Sequence, residues 1–325
     1  MTLNQNKIPV FIITGFLGAG KTTFLNHFIK SQPNKKILVI ENEVGKANID
    51  GALIVQSAVE VKELTAGCLC CDLNEKLYDL LYDLAQRKDE FDMLVIETTG
   101  IADPSSVAET IWTGGFMDKT YDLKATICVA DAQNLEDALD KTDEARRQLT
   151  FADIILLNKC DHLTSEHLNN IQHLIQNIHP GIPILTGNEG NFYAEGIMKL
   201  STQNISNKSE ILDNIAKDFK HKHQGINTFT LTFDRPFEYR QLRHTLMLLL
   251  NINKHQIYRI KGIIDVPDMK EKVVLQSVFK SFRMEEGSEW KDNEIRKSTI
   301  VFIGHDVEKE SIERVFKQCL LKNDG

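Results

Sequence analysis

The chain has 325 residues, 42% hydrophobic and 26% charged, with 18 Gly and 7 Pro. That length points to two domains, and that composition is enough for packed cores, which excludes wholesale disorder. The formal net charge of −8 is the wrong sign for gripping a phosphate backbone, so a nucleic-acid binder is excluded. The charge is uneven. Residues 222–325 hold 18 Lys and Arg against 15 Asp and Glu, a net of +3, which leaves −11 for residues 1–221; the shift supports a boundary near residue 220.

Along the chain, Met1 to Lys7 is polar and lacks the basic-then-apolar pattern of a secretory signal. No apolar run reaches the roughly 18 residues that a membrane span needs, so a cytoplasmic protein without membrane contact is expected. Apolar, β-branched runs at Ile8–Thr14, Lys36–Glu41, Met93–Glu97, Ala125–Asp131, Asp153–Asn158 and Ile182–Thr186 read as buried strands. Amphipathic stretches at Lys21–Ser31, Asn74–Gln86 and Ser165–Asn177 read as the helices between them. Continuous apolar strands joined by helices imply an α/β fold with a doubly wound, mostly parallel sheet, whose ligands bind beyond the carboxyl ends of the strands.

The first such strand runs into Gly15-Phe16-Leu17-Gly18-Ala19-Gly20-Lys21-Thr22, followed by Thr23 and a helix. This is the phosphate-loop pattern in the context it requires. Gly15, Gly18, Ala19 and Gly20 turn backbone N–H groups inward, and the helix N-terminus adds partial positive charge. Lys21 would meet the β- and γ-phosphates and Thr22 would ligate Mg²⁺. In Asp92-Met93-Leu94-Val95-Ile96-Glu97-Thr98-Thr99-Gly100 a strand delivers Glu97 to its carboxyl end, where an acid can order the Mg²⁺ shell or the attacking water. Gly100 can bring an N–H close to the γ-phosphate.

Asn158-Lys159-Cys160-Asp161 also follows a strand. Asp161 there can accept from guanine N1–H and the N2 amine, whereas adenine would leave the carboxylate unpaired. The nucleotide is therefore read as GTP or GDP. A phosphate-loop ATPase or kinase is the alternative that this segment argues against.

Of six cysteines, three crowd into Cys68-Leu69-Cys70-Cys71, which in a reducing compartment reads as metal-binding or redox-active rather than as a disulfide framework. In an extended backbone Cys68 and Cys70 face one way and Cys71 the other; the three thiols converge only if the chain turns at Cys70–Cys71, as an incipient helix permits. Thiols at a helix N-terminus ionise more readily, and thiolates suit zinc and other borderline or soft ions. A redox switch, or a metal-sensing module with little turnover, is the competing reading.

From Leu200 to Gly225 the chain is polar and reads as a connector with one short helix at Glu210–Phe219. Its His221 and His223 read as linker residues rather than ligands. Beyond it, Thr228–Phe233, Arg240–Leu250, Gln256–Lys261, Val273–Phe279, Ser298–Ile303 and Ser311–Leu321 alternate as strands and helices of a smaller α+β domain. The expected division is 1–205 for the nucleotide domain, 206–225 for the connector and 226–325 for the C-terminal domain.

Taken together, Thr14 to Thr23, Glu41-Asn42-Glu43, the C-x-C-C box, Glu97-Thr98-Thr99-Gly100 with Ala102-Asp103-Pro104, and Asn158-Lys159-Cys160-Asp161 resemble the CobW-type metallochaperone GTPases. Arg259-Ile260-Lys261-Gly262 and Val301-Phe302-Ile303-Gly304 with Asp306 extend the resemblance through the second domain. It implies slow GTP hydrolysis coupled to handling Zn²⁺, Co²⁺ or Fe²⁺ for a client metalloprotein, with zinc favoured. The resemblance gives Glu41 and Glu43 a place near the cysteines, where Glu43 either completes a metal shell with Cys68 and Cys70 or answers to Mg²⁺. Alternatively the two are solvated acids at the start of a helix or turn. The oligomeric state stays open, a nucleotide- or metal-dependent dimer included. Lys46 departs from the acid that many relatives carry there, and the long His-rich tract of some members is missing.

Overall fold

The computed structural model describes residues 7–42, 60–63, 70–100, 103–112, 115–203, 221–223, 226–253 and 256–321. The chain divides into two compact units, one holding Met1–His173 and Ile182–Ser201, the other Leu174–Gly181 and Thr202–Gly325.

In the first unit, strands β1 (Ile8–Thr14), β2 (Ile37–Asn42), β3 (Glu60–Glu63), β4 (Met93–Thr98), β5 (Tyr121–Asp131), β6 (Ile154–Asn158) and β7 (Ile184–Thr186) form one sheet. Their order is β3-β2-β4-β1-β5-β6-β7, and every pairing is parallel. The phosphate-loop strand β1 is thus central, flanked by β4 and β5. Helices α1 (Lys21–Lys30), α2 (Cys70–Ala85), α3 (Pro104–Trp112), α4 (Phe116–Thr120), α5 (Leu135–Lys141), α6 (Asp143–Phe151), α7 (Ser165–Ile178) and α8 (Ala194–Gln203) connect and follow the strands.

α1 buries Phe24, Leu25, Phe28 and Ile29, the three-and-four spacing of one helical face. These pack with Phe11, Ile13, Val39 and Val95 of the sheet. Phe28 lies 5.9 Å from Phe11 and Phe24 lies 5.9 Å from Phe192 between ring centroids. The start of α1 is thereby clamped where the phosphate loop must deliver it.

In the second unit, β8 (His221–His223), β9 (Ile226–Phe233), β10 (Ile257–Ile264), β11 (Glu271–Val278), β12 (Ser281–Glu289) and β13 (Ser298–His305) form a sheet ordered β12-β11-β10-β13-β9-β8. All its pairings are antiparallel. Helix α9 (Tyr239–Ile252) packs Leu242, Leu246 and Leu250, and α10 (Lys309–Lys317) packs Ile312 and Phe316, against Leu231, Ile260, Leu275 and Phe302. The Glu238 carboxylate caps α9 by accepting from the N–H groups of Arg240 and Gln241, satisfying two otherwise unpaired donors.

The parallel α/β sheet and the separate α+β unit are as the sequence indicates. Three details differ. His221–His223 is an edge strand on β9, not linker. The last helix ends at Lys317 rather than Leu321. Strands β3 and β12 are additional, both at sheet edges where one flank needs no partner and polar residues are tolerated. The helix expected at Glu210–Phe219 lies outside the described residues.

Candidate functional site

The loop from Gly15 to Gly20 joins β1 to α1 with Gly15, Gly18 and Gly20 at φ 141°, 76° and 98°, a region where side chains are strained. Gly15 has a further constraint: a Cβ there would lie 2.0 Å from the Val129 carbonyl oxygen of β5. The Lys21 ammonium donates to the carbonyls of Gly15 at 2.9 Å and Phe16 at 3.3 Å, so the loop is curled around the cation that opens α1. The Thr22 hydroxyl donates to Glu97 Oε1 at 3.0 Å. A hydroxyl and a carboxylate held together at the strand ends supply the hard oxygen donors that Mg²⁺ prefers, so these residues fit that ion. Thr23 is exposed on α1.

Gly100 reaches the same loop from β4. A Cβ on it would lie 2.7 Å from the backbone nitrogen of Leu17. The Gly100 carbonyl accepts from Gln148 Nε2 at 3.0 Å, and Gln148 is buried in α6.

The N-K-x-D segment divides its labour. Asn158, 2% exposed, donates through Nδ2 to the Ala19 carbonyl at 2.9 Å and accepts at Oδ1 from the Gly190 N–H at 3.0 Å. Lys159 donates to the Gly18 carbonyl at 2.8 Å and to Asp131 Oδ2 at 2.8 Å. Both side chains therefore brace the phosphate loop. Asp161 is 45% exposed, with His162 Nε2 at 3.1 Å.

Three residues of this network escape sequence reading. Asp131 ends β5 and Gly190 sits in the Gly187-Asn188-Glu189-Gly190 turn, so strand-end and turn chemistry signal both. Gln148 has no local signal at all.

Burial pushes the Asp131 carboxyl up, but hydrogen bonds from Lys159, Asn134 and the Gln133 N–H, together with the Lys159 charge, outweigh it and hold the group below the ordinary aspartate value. A carboxyl whose pKa is depressed by folding adds stability above its unfolded pKa, about 3.9, and loses it as pH falls through the folded value. The thermal stability advantage of the parent over Asp131→Asn should therefore be full at pH 7 and shrink below about pH 4. Melting curves from pH 7 to pH 3 check this, and a gap that stays constant contradicts it.

Glu41, next to last in β2, is in register with Glu97 of β4 and is 4% exposed. The reading of a solvated turn acid is thereby corrected for Glu41, because the continuous strand carries it inside. Glu43 and Cys68 lie outside the described residues. Cys70 and Cys71 are the first two residues of α2, so the backbone does turn into a helix there. Among the described residues no group of three or more His, Cys, Asp and Glu could hold a metal. Burial pushes the thiols of Cys128, Cys160 and Cys319 up, Cys128 to about 12 despite the Lys21 charge.

A cavity of about 440 Å³ lies behind the phosphate loop, walled by Phe16, Leu17, the end of β5, and α5 and α6. Gly18, Asp131 and Lys159 also line it, so it borders the phosphate loop. Among the described residues no helix is long and apolar enough to cross a membrane.

Comparison with known proteins places the chain in a family. The CobW/HypB/UreG nucleotide-binding domain matches residues 9–186, and the cobalamin synthesis protein CobW C-terminal domain matches residues 226–320. The zinc chaperone YjiA of Escherichia coli is 32% identical over 322 residues, covering 96% of this chain and 98% of its own. The zinc-regulated GTPase metalloprotein activator 1 of Schizosaccharomyces pombe is 30% identical over 304 residues, covering 81% of this chain and 73% of its own. The crystal structure of Zn(II)-bound YjiA GTPase from E. coli superposes with a TM-score of 0.71 at 25% identity, spanning 98% of this chain and all of that one. The chain belongs to the CobW/HypB/UreG family and carries both its nucleotide-binding domain and the CobW C-terminal domain.

Proposed function

We propose that this CobW-family GTPase is a cytoplasmic metallochaperone that binds zinc at Cys68, Cys70 and Cys71 with Glu43, and passes it to a client metalloprotein as GTP is bound and hydrolysed. The observation that carries the reading is the register of β2 on β4, which sets Glu41 beside Glu97 on strands spaced about 4.8 Å apart. Glu97 accepts from Thr22 at the start of α1, and Glu43 follows Glu41 by two residues. A shift of β4 on nucleotide exchange therefore acts on the strand that leads to the metal acids. Relatives named zinc chaperone and zinc-regulated GTPase support zinc over the other ions that thiolates accept.

In this reading Lys21 and the loop N–H groups hold the phosphates, Mg²⁺ contributes charge neutralisation when held by Thr22 and Glu97, Gly100 senses the γ-phosphate, and Asp161 selects guanine. Asp161→Asn should lower GTP affinity and raise that for xanthine nucleotides, whose C2 carbonyl suits an amide donor. Competition among GTP, XTP and ATP checks it, and an unchanged preference removes Asp161 from the base site. The chaperone half is tested by comparing zinc affinity in the GDP and GTP-analogue states.

A further inference from the structure

Helix α2 has two faces. Leu77, Leu81, Leu84 and Ala85 are buried, and the Leu81 carbonyl accepts from the buried Tyr121 hydroxyl at 2.5 Å, so the helix is fixed to the sheet. The outer face presents Tyr78 and Tyr82, 40% and 47% exposed, and beside them Phe116 of α4, 37% exposed. Tyr82 and Phe116 lie 4.9 Å apart between ring centroids. α4 is itself held inward by fully buried Met117. A pair of packed aromatic rings, Tyr82 and Phe116, with Tyr78 about one helical turn from Tyr82, on a rigid base is unlike scattered surface apolar residues, and such rings dominate interface hot spots.

The rim of this face is acidic. Among the described residues, Glu75, Asp79 and Asp83 are exposed on α2 against Lys76, and Lys119 is exposed on α4. Glutamate and aspartate around aromatic rings favour a cationic partner twice, by charge complementarity and by ring–cation attraction.

We infer that the α2–α4 face docks a basic segment with apolar anchors, carried by the metalloprotein that exchanges zinc with this chain. The inference rests on the metallochaperone reading for the identity of that partner. The link is the helix itself: α2 opens with Cys70 and Cys71, and at 1.5 Å per residue Tyr78 and Tyr82 sit about 10 and about 16 Å along the axis from Cys71. A client seated on the face is thus held within reach of the metal motif by one rigid element.

The test uses the full chain and two fluorescein-labelled peptides, one of lysine, leucine and tryptophan, the other with glutamate in place of lysine. The lysine peptide should bind and the glutamate peptide should not. Tyr78→Ser/Tyr82→Ser should weaken binding by about tenfold or more, the scale of hot-spot loss. Asp79→Asn/Asp83→Asn should weaken it less, and salt should erase that difference. Phe116→Ser should reproduce the tyrosine effect independently. GTP turnover, zinc affinity and melting temperature should be unchanged in all three.

Equal binding of both peptides, or unaltered binding by the tyrosine and Phe116 variants, overturns the inference. So does a concentration-dependent dimer of the parent that the same variants abolish, which assigns the face to a second copy. Peptide binding is read without zinc, so loss of the zinc–nucleotide coupling would remove the chaperone reading without being mistaken for failure of the docking face.

Discussion

Replacing Asn158 with alanine should cost the first unit roughly 2–6 kcal/mol of stability and most of its nucleotide affinity, although Asn158 touches no ligand atom in this account. The side chain joins three elements: β6, the phosphate loop through Ala19, and the turn after β7 through Gly190. Alanine leaves a buried carbonyl and a buried N–H without that partner, at about 1–3 kcal/mol each. It also unpins the loop, whose Gly20 approaches so closely that a Cβ there would lie 2.5 Å from Asn158 Nδ2. Asn158→Asp separates the two contributions, since it keeps the acceptor for Gly190 and loses the donor to Ala19. Urea unfolding with and without GDP, beside fluorescent-nucleotide titration, reads both effects. A variant with parental stability and weakened guanine selectivity would return Asn158 to the base site.

Lys21→Ala should reduce GTP turnover by about 10²–10³-fold or more, the usual consequence of removing one preorganised charge from the transition state of phosphoryl transfer. Without nucleotide the ammonium is bonded to the carbonyls of Gly15 and Phe16, acceptors that phosphate oxygens can replace without moving the α1 backbone. The fold should survive, because α1 is anchored by Phe24, Leu25, Phe28 and Ile29. Single-turnover hydrolysis with circular dichroism as control checks both statements. Hydrolysis within tenfold of the parent would show that the phosphates lie elsewhere.

The elements that local chemistry announces were readable in advance. Seven residues of apolar strand, glycines where φ is positive, and a lysine–threonine helix start place Gly15 to Thr22, just as uninterrupted apolar runs place Glu97 and Asn158 at strand ends. What was hidden is what these residues bond to. Asn158 and Lys159 meet Ala19 and Gly18 across more than a hundred residues, and no spacing rule says whether such side chains face a base or brace a loop. Gln148 meets Gly100 by the packing of α6 alone. Glu41 closes an apolar run, which left a solvated acid open as the alternative, yet parallel pairing with both β3 and β4 buries it. Strands β3, β8 and β12 lie at sheet edges, where a polar sequence is compatible with pairing.

The measurement that bears most directly on the account is zinc affinity by competition with a chelating dye, under reducing conditions, in GDP and in a non-hydrolysable GTP analogue. The register of Glu41 on Glu97 predicts a difference of about 5- to 150-fold between the two states, and linkage requires zinc to change GTP-analogue affinity relative to GDP by the same factor. A variant with Cys68, Cys70 and Cys71 replaced by serine should lose both the tight zinc and the dependence on nucleotide. Equal zinc affinities in the two nucleotide states of the parent, with the cysteines reduced, would contradict the account and leave a GTPase that carries zinc without acting on it.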